Sequence, residues 1–174
     1  SALKRAGRNA TLCSFDMLGE GARTQTNADR YFDNYLAAME TVGNASTDSH
    51  LFDGHNVSVK LSALHPRFWE SHRGTCLPAL KEKVLALAVT ARRFNIGMSL
   101  DAEECARLEL TMDVFEWLCE QPELEDWQGL GFVLQAYQKR ALDVAKWLIA
   151  LAQSRPAGIM VRLVKGAYWD TEIK

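Results

Sequence analysis

Short apolar runs alternate regularly with longer amphipathic stretches along this chain. Five runs have the length of strands and are rich in aliphatic residues, at about 11–18, 57–62, 96–101, 131–136 and 159–164. After most of them comes a segment whose apolar residues recur at helical spacing. The first helix is expected from about Thr26 to Val42, with Thr26 and Asn27 as caps. The second is expected from near Pro78 to Phe94, with the proline in its opening turn. The third carries Leu108, Leu110, Val114, Phe115 and Leu118, and the fourth runs from near Arg140 to Ser154. Residues 43–56 have loop composition, and a linker runs from His65-Pro66 to Arg73-Gly74. A last helix opens at Asp170-Thr171-Glu172, with acids near its amino end.

Strands that alternate with helices predict a parallel β/α architecture. Lys60 to Asp101 is 41 residues, Asp101 to Gln135 is 34 and Gln135 to Arg162 is 27. A (β/α)8 barrel averages roughly 31 residues per unit. The expected fold class is therefore α/β, a TIM-type (β/α)8 barrel, with about five of its eight units in one domain over residues 1–174. The chain has no initiating methionine and stops just inside a helix start, so a partial domain without its C-terminal strands is expected. A doubly wound sheet would call for a glycine-rich phosphate turn after the first strand. Leu18-Gly19-Glu20-Gly21-Ala22-Arg23 has one G-x-G but sets a carboxylate where phosphate would sit.

Strand parity then sorts the polar residues. Asp16, Lys60, Asp101, Gln135 and Arg162 all fall on the face opposite the large apolar side chains, and all lie near carboxyl ends of strands. The apolar face must meet helices, so these five point into the barrel, at the end where barrel enzymes hold their active sites. Two cations, two carboxylates and an amide can bind a charged small molecule. A pair such as Lys60–Asp101 could also be a structural ion pair. Of the five tryptophans, at 69, 117, 127, 147 and 169, only Trp169 is a site candidate, and the others are expected to pack in the core or against helices. Glu103, Glu104 and Asp126-Trp127 are expected in loops, facing solvent.

Composition narrows the class further. The 174 residues are 48% hydrophobic and 24% charged, with a formal net charge of −2. That balance fits a globular domain and gives no basic footprint for nucleic acid. No apolar run is long enough to span a bilayer, and the polar, basic start lacks a signal-peptide pattern, so a cytoplasmic location is expected. Cys13, Cys76, Cys105 and Cys119 lack C-x-x-C spacing and are expected as reduced thiols. The N-x-[S/T] matches at Asn9, Asn44 and Asn56 are expected to be chance. His50, His55, His65 and His72 show no ligand spacing, so no metal site is expected.

Five blocks carry a resemblance to a known family. They are Phe15-Asp16-Met17-Leu18-Gly19-Glu20, residues 59–67 from Val59-Lys60 to Pro66-Arg67, Asp101-Ala102-Glu103-Glu104 with Arg107-Leu108-Glu109, Gln135-Ala136-Tyr137-Gln138-Lys139-Arg140, and residues 161–170 from Val161-Arg162 to Trp169-Asp170. In order and spacing they resemble the proline dehydrogenase domain of bacterial bifunctional proline utilization A. The resemblance implies an FAD-dependent (β/α)8 barrel that oxidises L-proline to Δ1-pyrroline-5-carboxylate. It also implies a membrane quinone as electron acceptor, a peripheral position at the inner membrane face, and an aldehyde dehydrogenase domain elsewhere in the parent chain. By the same resemblance Lys60 contacts the proline carboxylate, and Asp101 and Arg162 form the catalytic pair, with Arg162 beside the flavin. Ala102, Val133, Gln135, Val164, Lys165, Gly166, Ala167 and Trp169 line the cofactor, and Glu20 serves as a gate. The resemblance implies that the family's later strands carry further flavin and substrate contacts, so these residues alone are not expected to turn over proline. Two other readings of the residues are a barrel lyase using Lys60 as a Schiff base and a non-catalytic barrel fragment.

Overall fold

The computed structural model describes residues 11–17, 21–46 and 50–173. Five parallel strands form one sheet in chain order: β1 (Ser14–Asp16), β2 (Asn56–Val59), β3 (Gly97–Leu100), β4 (Leu130–Gln135) and β5 (Met160–Val164). The principal helices are α1 (Gln25–Ala45), α2 (Leu61–Leu64), α3 (Arg73–Arg93), α4 (Leu108–Cys119), α5 (Ala141–Gln153) and α6 (Trp169–Glu172). Side-by-side strands in sequence order, each followed by a helix, form the wall of a β/α barrel. The sheet is strongly curled. Arg162 on β5 donates to Ser14 Oγ on β1 at 2.9 Å, across the concave face of all five strands.

The two faces differ as the parity rule requires. Val57, Val59, Met98, Leu100, Phe132 and Leu134 face outward and are buried beneath the helices. Phe132 meets Phe115 of α4 and Trp147 of α5 in edge contacts with ring centroids 5.1 and 5.7 Å apart. On the concave face Gly97 leaves room for Met160, whose Cε would lie 2.7 Å from a Cβ there. β5 departs from the expectation that its apolar face is covered. Val161 is 50% and Leu163 67% exposed, because no described element packs on that side.

Several local expectations are corrected. The cap of α1 is Thr24, whose Oγ1 accepts from Asn27 N at 3.1 Å, so the helix starts before Thr26 and Asn27. It also runs on to Ala45, past the expected loop boundary at 43. β2 stops at Val59, and the apolar run Leu61–Leu64 is one turn of helix rather than strand. An apolar run of four residues carries no period long enough to separate the two. α3 begins at Arg73, which puts Pro78 inside the helix rather than in its first turn. The four cysteines are free thiols. Trp127 is buried, whereas Trp69 is largely exposed.

Candidate active site

The carboxyl ends of β1, β2, β3 and β5 bring four charges into one line. Lys60 Nζ donates to Asp16 Oδ2 and to Asp101 Oδ2, each at 2.6 Å. Asp101 Oδ1 accepts from Arg162 Nη2 at 2.8 Å and from Ala102 N at 3.0 Å. Arg162 is held further by Ser58 Oγ at 3.0 Å and by Ser14. The order is Asp16, Lys60, Asp101, Arg162, with signs alternating and cancelling. Lys60 and Asp101 lie deep in the cleft, whereas the Asp16 side chain is 52% exposed at its mouth.

Local structure explains the placement. Lys60 is the residue between β2 and α2, and Tyr35 of α1 fixes its backbone by accepting from Lys60 N at 3.1 Å. Asp101 follows β3 directly, with its N–H bonded to Val59 O at 2.8 Å. Burial weakens the Lys60 ammonium, but hydrogen bonds to Asp101 and Asp16, with their charges, outweigh it and hold the amine protonated above its ordinary range. A Schiff-base lysine needs a free amine at neutral pH. The surroundings of Lys60 do the opposite, so the lyase reading has no support at this site.

Beside the charged line the cleft is walled by Ala102, Val133, Val164, Gly166 and Ala167, with Tyr168 at the same wall. Small and aliphatic walls next to a cation suit a flat ring that is apolar over most of its face and accepts hydrogen bonds at one edge. Gly166 has φ +123°, and a Cβ there would lie 2.1 Å from the Tyr137 ring, so only glycine allows the turn. These residues fit a flavin.

Gln135 lies at the same strand ends but does not touch the charged line. It is buried, its Nε2 donates to Glu103 O at 2.9 Å, and its Oε1 accepts from Ala167 N at 3.1 Å. Lys165 and Trp169 pair with each other, Nζ standing 4.9 Å from the ring centroid, and both are exposed. Glu20 lies outside the described residues. Glu103 corrects an expectation: it is 6% exposed, not solvent-facing. Its Oε1 accepts from Ser62 N at 3.0 Å and its Oε2 from Arg107 at 2.8 Å. Burial pushes its carboxyl above the usual range, against the opposing effect of Ser62 and Arg107. Ser14, Ser58 and Tyr35 also belong to the site's support and carried no distinctive sequence signal beyond the parity of the two serines.

A curled parallel β/α sheet with alternating charges across its carboxyl-end cleft defines an enzyme of the (β/α)8 barrel class. The family described as proline dehydrogenase matches residues 1–174, and the chain belongs to that family of flavin-dependent oxidoreductases. It is 46% identical over 161 residues to the bifunctional protein PutA of Klebsiella aerogenes, covering 92% of this chain and 12% of that protein. It is 28% identical over 169 residues to proline dehydrogenase 1 of Bacillus subtilis subsp. natto, covering 97% of this chain and 48% of that one. Among solved structures, proline utilization A from Bdellovibrio bacteriovorus, inactivated by N-propargylglycine, superposes with a TM-score of 0.89. That pair is 29% identical, over 99% of this chain and 19% of the other. The chain thus spans about an eighth of the length of its bifunctional relatives and about half that of the shorter one. No helix among the described residues is long and apolar enough to cross a membrane.

Proposed function

We propose that this chain builds one side of the catalytic cleft of a longer flavoprotein that oxidises L-proline to Δ1-pyrroline-5-carboxylate in proline catabolism. The observation that carries the reading is the line Asp16–Lys60–Asp101–Arg162 at the carboxyl end of the sheet. Its charges cancel, so a zwitterionic amino acid enters without leaving net charge in a partly buried site. Lys60 is a compact point charge suited to the substrate carboxylate. Asp101 keeps both cations oriented, and Arg162 stands beside the apolar wall where the ring of the cofactor would lie. The cofactor is FAD, held by Ala102, Val133, Gln135, Val164, Lys165, Gly166, Ala167 and Trp169 together with Arg162. When bound, a flavin supplies the two-electron acceptor for the hydride equivalent lost from proline. Arg162 favours negative charge on that side of the cleft, which lowers the barrier to reduction.

The wider reading is part of the same proposal and draws on the resemblance to bifunctional proline utilization A. A membrane quinone takes the electrons, the parent chain carries an aldehyde dehydrogenase domain, and the protein is cytoplasmic with a peripheral position at the inner membrane face. Glu20 acts as a gate at the mouth of the cleft. The test is anaerobic mixing of the purified full-length protein with L-proline while flavin absorbance is followed. Bleaching by proline, and none by pyrrolidine, which lacks the carboxylate, is the expected result. A protein that carries no flavin, or whose flavin is untouched by proline, removes the reading.

A further inference from the structure

Behind the charged line runs a second set of contacts that links segments at or just after the carboxyl ends of all five strands, in order. Ser62, just after β2, accepts from the connection after β1: its Oγ from Gly21 N at 3.3 Å and its carbonyl from Ala22 N at 2.8 Å. Ser62 N then donates to the Glu103 carboxylate in the connection after β3. The Glu103 carbonyl accepts from Gln135 Nε2 at the end of β4, and Gln135 Oε1 accepts from Ala167 N in the connection after β5. Each neighbouring pair of segments is tied once or more; Ser62, Glu103 and Gln135 each tie on both sides, and Glu103 is the charged one of the three.

The cost of putting a carboxylate there is evident. Glu103 is 6% exposed, and its countercharge Arg107 is itself buried. The guanidinium lies 4.2 Å from the Trp69 ring centroid and 5.7 Å from that of Phe68, which shields it from water and accounts for a large aromatic side chain at the surface. An isolated buried carboxylate is expensive, so this one depends on its two partners, the Ser62 N–H and the Arg107 guanidinium. What this carboxylate reaches is specific: the turn two residues after Lys60, from a position two residues after Asp101.

We propose that Glu103 is a positioning residue for the amino-acid site. The length of its side chain sets the distance between the Lys60 and Asp101 segments, and its carbonyl, through Gln135, sets the Gly166–Ala167 wall. Arg107 orients the carboxylate. The proposal rests on the proline-oxidising reading for its kinetic consequence, but not for the contact itself.

The experiment compares Glu103→Asp, which keeps the charge and shortens the reach, with Glu103→Gln, which keeps the reach, in the full-length protein. Two readouts are taken. Exchange of the Ser62 and Ala167 amides is measured on flavin-free protein, and the proline dependence of flavin reduction on the loaded protein. E103D is expected to exchange the Ser62 amide at least about tenfold faster, with Ala167, tied through the main-chain carbonyl, as the internal reference, and to need about tenfold more proline for half-maximal reduction, as loss of one charge-assisted hydrogen bond implies. E103Q keeps an acceptor within reach of Ser62 N and should hold the exchange of that amide within about threefold of the parent. Arg107→Met is the second variant, should E103D not accumulate, and is expected to weaken proline binding in the same sense. Parental exchange and parental proline dependence in a folded E103D or R107M overturn the proposal, as does tenfold faster exchange of the Ser62 amide in E103Q. If proline fails to reduce the parent, the functional reading falls, and the amide exchange still decides whether Glu103 sets the spacing.

Discussion

Arg162 is anchored at once by Ser14 of β1, Ser58 of β2 and Asp101 just after β3, so its position depends on the curl of the sheet. Arg162→Met in the full-length protein should leave the flavin bound and slow its reduction by proline on the order of a hundredfold, the usual cost of one charge-stabilising group. Stopped-flow flavin absorbance measures it, and an unchanged rate constant takes Arg162 out of the chemistry. Tyr35 acts on the other cation through the backbone, accepting from Lys60 N. Burial pushes its phenol up to about 12 from 10.0. The folded state therefore holds this proton more tightly than the unfolded chain. The resulting stability is fully present below pH 10 and is lost as pH rises through about 12. Tyr35→Phe leaves the Lys60 N–H without its acceptor, at a cost of about 1–3 kcal/mol. It should also flatten the alkaline fall of stability between pH 10 and 12. Unfolding curves across that range check both, and a Y35F protein with parental stability and parental slope would show the contact to be idle.

At the scale of elements, α3 tolerates a proline that its geometry does not favour. Pro78 lies beyond the first turn, so Gly74 O lacks the helical donor that residue 78 would otherwise supply. The helix survives because Cys76, Leu80, Val84, Leu87 and Ala91 bury one face against the sheet. Pro78→Ala restores a donor and removes a ring clash, while giving the unfolded chain more freedom. The first effect exceeds the second, and a gain of about 1–2 kcal/mol is expected. Thermal unfolding of the full-length protein tests this. A lowered melting temperature would mean that the proline's fixed backbone angle stabilises the amino-terminal part of α3. Elsewhere the helices are set by contacts between elements: Phe115, Phe132 and Trp147 bind α4, β4 and α5 into one aromatic cluster.

At the scale of the whole molecule, the described sheet has two edges, β1 and β5, and its last strand shows Val161 and Leu163 to solvent. α5 adds exposed Leu142 and Ile149. Open strand edges beside apolar surface promote pairing between chains. The 174-residue polypeptide expressed by itself should therefore associate, and its complement of cleft residues should not suffice for proline oxidation. Gel filtration with a proline-dependent dye-reduction assay, run beside the full-length protein, is the check. A monodisperse, monomeric polypeptide as active as the full-length protein would refute both parts.

The parity of polar residues at strand ends was readable in the sequence because it is local: every second side chain of a strand shares a face, and the apolar face must be covered. That rule alone put Asp16, Lys60, Asp101 and Arg162 into one cleft, and the spacing of the units implied a barrel. Other features depended on segments that meet only after folding. Leu61–Leu64 is too short to declare its own period, and the packing of Tyr35 on Lys60 N decides how it enters the next helix. Glu103 looked like one more loop carboxylate beside Glu104. Its role comes from Ser62, 41 residues earlier, and from Gln135, 32 residues later, which reach it only when the sheet curls. The local sequence thus determined which way each strand side chain points. The long-range approach of the connections determined which of the loop residues are buried, because burial is decided by what arrives on top of a residue and not by its neighbours along the chain.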